Sequence, residues 1–198
     1  MADTTRGARG MSAGIVLWQV TMSLDGFIAG PDDAMDWVFE YPEPNPAVDE
    51  VIGTTGAILA GRRTYDVGRR DVGKPSGQAF GGAWTGPQLV LTHDVPDGSD
   101  DPSVTFLGGD ITNAVNRALT AARGKNVLVL GANVAKQCID AGLLDEVLVH
   151  LAPVLLGDGV RLFGGPGFGR VDLEPISVER VGRLANLRFR VAEYGYPE

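Results

Sequence analysis

Two apolar segments in the second half of the chain restrict its fold most strongly. Residues 127–134 read VLVLGANV, residues 145–159 read DEVLVHLAPVLLGDG, and only a short helical segment separates them. An apolar strand that ends in a glycine turn, followed by a helix and a second apolar strand, is how α/β folds present a nucleotide. These segments therefore predict an α/β protein with a dinucleotide cofactor.

The same alternation of strands and helices extends over most of the chain. Strand patterns occur at residues 15–20, 57–60, 88–92, 104–107, 126–130 and 146–151, and helical patterns at residues 47–53, 62–67, 110–122 and 134–141. This order predicts a single domain, residues 14–198, with a mostly parallel central sheet and helices on both faces. Residues 171–180 and 183–193 alternate polar and apolar side chains, which predicts a C-terminal antiparallel hairpin. Residues 1–13 are small and polar, so we expect a disordered leader.

Composition excludes several classes of function. The net charge of -8 argues against a nucleic-acid partner, because phosphate contacts need clustered Lys and Arg. No apolar run approaches the roughly 20 residues that span a bilayer, and the first residues lack a signal-peptide core, so we expect a cytoplasmic protein without a membrane partner. One cysteine, Cys138, and two histidines leave little for a metal site, and none is expected.

Three glycine-containing turns follow predicted strands. Residues 22–30, MSLDGFIAG, leave the first strand, whereas Gly61 and Gly131 each stand between a strand and a helix. Free N–H groups at a helix start suit a phosphate, and Arg62 and Arg63 add positive charge beside Gly61. Each turn alone also fits an ordinary tight turn, and the G-x-G-x-x-G spacing of a plain Rossmann domain is absent. One cofactor lying across several strand ends accounts for the two helix starts together.

Titratable residues leave the catalytic group open. His150 lies near the end of an apolar strand, where it could donate a proton or bind a substrate, although a hydrogen-bonded core histidine fits its position better. His93 follows another strand and fits either a phosphate contact or the surface. The acidic group Glu40, Glu43, Asp49 and Glu50 could hold a general acid or form a solvated face.

Four motifs in the same order resemble the dihydrofolate reductase-like superfamily, and are most similar to the C-terminal reductase domain of the riboflavin-pathway deaminase/reductase. They are SLDGFIA (residues 23–29), AMDW (34–37), GRRTY (61–65) and LAPVLLG (151–157), and the resemblance covers about residues 15–194. It implies the dihydrofolate reductase-like fold and NADPH as the hydride donor.

The resemblance also implies where NADPH binds. Its phosphates would lie at Gly61, Arg62, Arg63 and Thr64, its adenosine 2′-phosphate near Thr92 and His93, and its pyrophosphate at Gly131, Ala132, Asn133 and Val134. Family members commonly have two adjacent glycines where this chain has Gly131-Ala132. The nicotinamide would lie beside the Asp25 loop and Trp37, and the substrate between that loop and the helix that carries Asp49 and Glu50.

The implied activity is NADPH-dependent reduction of a small pterin-like or ribosylaminopyrimidine-like heterocycle. Asp25 is the first candidate for a polar substrate contact, Asp49 or Glu50 for proton delivery, and Ser23, Trp37 and His150 for substrate binding. Two alternatives stay open: a non-catalytic nucleotide- or pterin-binding protein of the same fold, and a true dihydrofolate reductase, which the proline-rich residues 42–46 argue against. The resemblance and the apolar C-terminal strands also favour a homodimer.

Overall fold

The computed structural model describes residues 14–70, 77–97, 101–163 and 169–192. Ten strands are present in this part of the chain: β1 (Val16–Ser23), β2 (Phe27–Ala29), β3 (Thr55–Gly61), β4 (Gln88–Leu91), β5 (Val104–Leu107), β6 (Asn126–Leu130), β7 (Glu146–Ala152), β8 (Val160–Arg161), β9 (Leu173–Val181) and β10 (Leu184–Val191). The α-helices are α1 (Pro46–Thr54), α2 (Arg62–Arg70), α3 (Ile111–Ala122) and α4 (Ala132–Asp140). Short 3₁₀ turns occupy Pro31–Asp33, Asp36–Glu40 and Ala79–Gly82.

An eight-stranded sheet in the order β5-β4-β3-β6-β1-β7-β10-β9 forms the centre of the molecule. The six strands from β5 to β7 run parallel, and β10 and β9 pair antiparallel to the edge of this sheet. Gly182 makes the hairpin turn between them with a φ of 57°. The predicted parallel sheet and C-terminal hairpin are therefore confirmed.

Successive side chains of each strand point to opposite faces of the sheet, and each face is covered by helix. On one face, Trp18 of β1 belongs to a core with Val115 of α3 and other residues of α3 and α4. On the opposite face, Leu17 packs in a second core with Val51 of α1 and Trp84. Helices on both faces were expected from the sequence, and the structure confirms them.

Local capping explains where two helices begin. The side chain of Asp110 accepts a hydrogen bond from the backbone N–H of Asn113 at 2.9 Å, as its position before α3 predicts. Asn45 accepts one from the N–H of Ala47 at 3.2 Å, and Pro46 supplies the first residue of α1. These caps satisfy backbone donors that a helix start leaves unpaired.

The structure differs from the sequence prediction around the first loop. We expected the first strand to end at Val20, but β1 continues to Ser23 because Gln19 to Ser23 pair with Leu148 to Ala152 of β7. Two residues of the β7–β8 loop region, Val160 and Arg161, form a second small sheet with β2, which alternation alone did not reveal. The predicted disordered leader, residues 1–13, lies outside the described residues, as do residues 71–76 and 164–168 of the two glycine-rich loops.

Within the described residues, no helix is both long and apolar enough to cross a membrane. The same part of the chain contains no group of three or more His, Cys, Asp or Glu side chains arranged to hold a metal ion.

The packing of β3 against α3 makes one glycine indispensable. A Cβ atom on Gly56 would lie 2.3 Å from the carbonyl oxygen of Ala122 and 2.7 Å from Cβ of Lys125. We therefore expect Gly56→Ala to lower the free energy of unfolding by about 1–3 kcal/mol, as overpacking does.

Gly53 is the matched control, because it lies in α1 and a Cβ there would meet nothing within 4 Å. Gly53→Ala should raise the free energy of unfolding by about 0.5–1 kcal/mol, since alanine favours helix more than glycine. Urea denaturation of the two variants measures both values, and equal effects would contradict the packing argument.

Candidate active site

Two helix starts meet at the carboxyl ends of adjacent parallel strands. Ala60 of β3 lies opposite Leu130 of β6, so that Gly61 and Gly131 follow side by side and lead into α2 and α4. A Cβ on Gly131 would lie 2.5 Å from Oγ1 of Thr64, and the backbone of Gly131 has a φ of 96°, which favours glycine. The two predicted phosphate-binding segments are thus in contact in the folded chain.

The contact continues along both helices. A Cβ on Gly61 would lie 3.2 Å from Cγ2 of Val134, so the backbones of α2 and α4 approach closely at their first turns. Helix starts have backbone N–H groups without intrahelical partners and carry the positive end of the helix dipole. The paired starts therefore form a cradle suited to a pyrophosphate, which we call the two-helix cradle: Gly61 to Thr64 with Gly131 to Val134.

Beside the two-helix cradle, β1 extends beyond its neighbour. In the described sheet, β6 pairs with β1 only from Val16 to Trp18, because the chain turns away at Gly131. The remaining residues of β1, Gln19 to Ser23, pair only with β7 on the other side. The backbone edge of β1 beyond Trp18 consequently borders a gap next to α4, where a planar group can lie against free N–H and C=O groups.

Both arginines of the cradle already pair with carboxylates. Nε of Arg62 donates to Asp66 at 2.8 and 3.0 Å. Arg63 binds Asp33 through Nε at 3.1 Å and Nη2 at 2.7 Å, and Arg70 adds a third contact to the same carboxylate at 3.3 Å. Neither partner was recognised in the sequence, although the spacing of Arg62 and Asp66 is that of a helical i,i+4 pair.

The end of β4 lies at the outer side of the cradle. His93 is exposed, whereas Thr92 is buried and forms a small turn in which its hydroxyl accepts from the N–H of Asp94 at 3.2 Å. The Arg62 guanidinium lies 5.6 Å from the centre of the Phe106 ring. Asp66 first, and Asp94 to a smaller extent, raise the pKa of Arg62, which places positive and negative charge together at this end.

Asp25 joins two loops rather than facing an open site. Its carboxylate accepts from the hydroxyl of Ser23 at 2.6 Å, from the N–H of Leu156 at 3.1 Å and from the N–H of Gly157 at 2.7 Å. The Ser23 hydroxyl, followed by the Gly157 and Leu156 N–H groups, lowers the pKa of Asp25 to about 2. The group is therefore ionised at neutral pH and holds the β1–β2 loop against the β7–β8 loop.

Further bonds fasten the same two loops. The N–H of Leu24 donates to the carbonyl of Val154 at 2.8 Å, and the N–H of Leu162 donates to the carbonyl of Gly26 at 2.9 Å. Arg161 lies over the Phe27 ring at 4.4 Å. Ser23 is fully buried, and its hydroxyl also accepts from the N–H of Phe27 at 2.9 Å, so its polar capacity is used within the loop.

The remaining predicted substrate and acid residues fall into different environments. Glu50 accepts from Nη1 of Arg188 at 2.9 Å, and Arg188 also binds Glu146 at 2.8 Å, so Glu50 joins α1 to the sheet. Asp49 is exposed on α1. Trp37 is partly buried in a 3₁₀ turn, and its Nε1 is enclosed with no hydrogen-bond partner among the described residues.

His150 lies inside the molecule rather than on a cleft wall. Only 3% of its surface is exposed, and its ring nitrogens contact Gln19 and Asn186 at 2.7 Å. Burial lowers the pKa of His150, with Asn186 opposing this shift. The geometry is that of a hydrogen-bonded core histidine, the alternative that the sequence favoured.

The loop clamp at Asp25 yields a direct prediction. In Asp25→Asn, the amide cannot accept from every donor that the carboxylate binds, so the N–H groups of Leu156 and Gly157 should exchange with deuterium faster at pH 7. Because the folded pKa is below that of the unfolded chain, the stabilisation by Asp25 is complete above about pH 4 and is lost as the pH falls towards 2. The stability difference between wild type and variant should narrow over that range.

Asp36→Asn, at an exposed position in a 3₁₀ turn, is the control and should leave both amides protected. Unchanged exchange at Leu156 and Gly157 in Asp25→Asn would contradict the clamp.

Comparison with known proteins gives relatives of one kind. The uncharacterized protein YwjB of Bacillus subtilis strain 168 is 28% identical over 146 residues, which are 73% of this chain and 79% of YwjB. A solved Shewanella sp. PV-4 protein named for riboflavin biosynthesis is 23% identical with a TM-score of 0.72, and the match covers 90% of this chain and 99% of that one.

A Thermotoga maritima protein named as a diaminohydroxyphosphoribosylaminopyrimidine deaminase and 5-amino-6-(5-phosphoribosylamino)uracil reductase is 14% identical with a TM-score of 0.62. The match covers 91% of this chain and 57% of the Thermotoga chain. At these identities, the solved structures establish the dihydrofolate reductase-like fold of the sheet and helices. The family model of the RibD C-terminal domain matches residues 85–185, more than half of the 198 residues, and the chain belongs to that family.

Proposed function

We propose that this protein is an NADPH-dependent reductase of a small nitrogen heterocycle. The observation that carries the proposal is the contact between Gly131 and Thr64, which joins two helix starts at adjacent strand ends. A pyrophosphate needs several N–H donors close together, and backbone can approach it only where side chains are absent. The two-helix cradle supplies both conditions.

The described residues fit NADPH along its whole length. The cradle would hold the pyrophosphate, Arg62 and His93 the adenosine 2′-phosphate, and the open edge of β1 the nicotinamide. When bound, NADPH supplies a hydride, so the protein needs only to orient the acceptor and exclude side reactions. The acceptor carbon takes the hydride and its neighbouring nitrogen or oxygen takes a proton, which balances the reduction of one double bond.

The substrate class follows from the relatives. The Thermotoga protein is named for an aminouracil that carries a phosphoribosylamino group, and this chain shares the fold of its reductase part. We therefore infer a ribosylaminopyrimidine-like substrate, with a pterin-like heterocycle as the next candidate. The proton comes from water or from exposed Asp49, because Asp25 is ionised in the loop clamp and Glu50 binds Arg188.

One observation favours a second candidate, a nucleotide-binding protein without turnover. Two of the three carboxylates expected to be catalytic, Asp25 and Glu50, are engaged in structural contacts. Such a protein would bind NADPH but would not oxidise it with aminopyrimidine, pterin or dihydrofolate acceptors. Rapid oxidation with dihydrofolate would instead indicate a true dihydrofolate reductase.

The direct test is a titration of purified protein with NADPH, followed by cofactor fluorescence and calorimetry. We expect saturable binding of one NADPH per chain. In Arg62→Ala, the affinity for NADPH should fall about tenfold, equivalent to about 1.4 kcal/mol for one charge-assisted contact that Asp66 already partly compensates. The affinity for NADH, which lacks the 2′-phosphate, should change less than about twofold.

Arg170→Ala is the control, since Arg170 is exposed and pairs with Asp172 at 2.9 Å ahead of β9. It should bind both cofactors as the wild type does. Failure of the wild type to bind NADPH would refute the proposed function, and an equal loss for NADPH and NADH in Arg62→Ala would refute the role of Arg62.

We also propose that the protein is a homodimer formed through β9. Ile176 and Val178 of this edge strand are 42% and 67% exposed, and an exposed apolar edge is typical of an interface. Sedimentation velocity should show a species of twice the chain mass, and Val178→Glu should convert it to a monomer. A monomeric wild type at micromolar concentration would exclude this interface.

A further inference from the structure

Four polar side chains are buried together between the sheet and the start of α1. They are Gln19 of β1, Asn45 before α1, His150 of β7 and Asn186 of β10, with exposed fractions of 8%, 8%, 3% and 2%. Burial of so many polar groups is unfavourable unless each finds a partner. The way in which these partners are assigned therefore has a definite answer, which we derive from a backbone anchor.

The anchor is the N–H of Ala47, which can only donate and which binds Oδ1 of Asn45 at 3.2 Å. Oδ1 of Asn45 also accepts from Nδ2 of Asn186 at 2.8 Å. The remaining amide oxygen, Oδ1 of Asn186, then accepts from Nδ2 of Asn45 at 3.2 Å and from Nδ1 of His150 at 2.7 Å. The proton of His150 is therefore on Nδ1.

This tautomer determines the orientation of Gln19. His150 is neutral because burial opposes its charged form, so Nε2 must accept a hydrogen bond. Gln19 donates to it through its own Nε2 at 2.7 Å. Asn45 Nδ2 and His150 Nδ1, 3.5 Å apart, are both donors in this arrangement and do not bond to each other.

One polar atom remains at the end of the series. Oε1 of Gln19 is completely enclosed and has no hydrogen-bond partner among the described residues. An unsatisfied buried acceptor costs about 1–3 kcal/mol. The fixed hydrogen bonds prevent Gln19 from turning its amide to remove this cost, so the acceptor requires a donor from outside the network.

Gln19 stands at the boundary of the candidate site. It is the first residue of β1 beyond the pairing with β6, which ends at Trp18. It shares its face of the sheet with Leu17, which packs with Val51 of α1. The acceptor thus lies on the α1 side of β1, beside the gap that the two-helix cradle borders.

We propose that Oε1 of Gln19 is a specificity-determining acceptor that receives an N–H group of the bound heterocycle. The inference rests on the proposed function and identifies the chemistry of the substrate edge at this position. An amino or ring N–H is accepted there, whereas a carbonyl oxygen would face Oε1 unfavourably and a methyl group would leave it unpaired.

The test compares two probes of similar shape, 6-aminouracil and 6-methyluracil, by calorimetry on the full chain with and without NADPH. We expect the wild type to bind 6-aminouracil about tenfold more tightly, which corresponds to one hydrogen bond. Gln19→Met, which keeps the length but removes the acceptor, should bind both probes equally. Gln19→Glu keeps an acceptor oxygen and should retain the preference.

Several outcomes would overturn the proposal. They are equal affinities of the two probes in the wild type, no binding of 6-aminouracil, and a preference that survives in Gln19→Met. Equal affinities would mean that water alone satisfies the acceptor. Because NADPH binding is measured in the same titrations, loss of the proposed function appears separately as an absence of cofactor binding.

A second measurement tests the network without a ligand. In ¹⁵N-histidine-labelled protein, two-dimensional NMR distinguishes the two neutral tautomers, and His93→Gln identifies the remaining signal as His150. We expect a neutral ring with the proton on Nδ1 at pH 7. A proton on Nε2 would refute the inference, because Gln19 would then have to present Oε1 to His150.

Discussion

The turn at Gly131 is the constraint on which the candidate site depends. Its φ of 96° takes the chain out of the sheet directly after β6 and brings the start of α4 against Thr64. Because β6 stops there, β1 continues for five residues with a neighbour on one side only. A residue with a Cβ would be strained at this φ and would also press on Thr64, so the cradle and the gap have the same origin.

The fold could be predicted to a large extent because its signals are local. The apolar strands, the cap at Asp110 and the glycine of the C-terminal hairpin each act within a few residues of their position. The extension of β1 to Ser23 and the β2–β8 pair could not be predicted in this way. Both depend on partners more than a hundred residues away, such as β7 for the end of β1.

The candidate site separates along the same line. The convergence of Gly61 and Gly131 follows from the parallel order of the strands, which the sequence indicates. The partners of the polar side chains do not follow from it. Asp25 was expected to contact substrate but binds Leu156 and Gly157, and Glu50 was expected to deliver a proton but binds Arg188. Gln19 was not recognised at all, because an isolated glutamine in an apolar strand has no pattern.

These contacts describe a protein whose own residues provide shape and polarity more than acid–base chemistry. The Asp25 clamp holds the loops, the Glu50–Arg188 pair holds α1, and the network that ends at Gln19 presents one oriented acceptor. Such a division of labour suits a reductase in which the cofactor carries the hydride.

The central claim is that NADPH lies across the starts of α2 and α4. Hydrogen–deuterium exchange of the full chain with and without saturating NADPH measures this most directly. We expect slower exchange of the backbone amides at Thr64 and at Ala132 to Val134, with the C-terminal half of α3 unchanged. Binding of NADPH that protects other segments and leaves both helix starts unaltered would contradict the account.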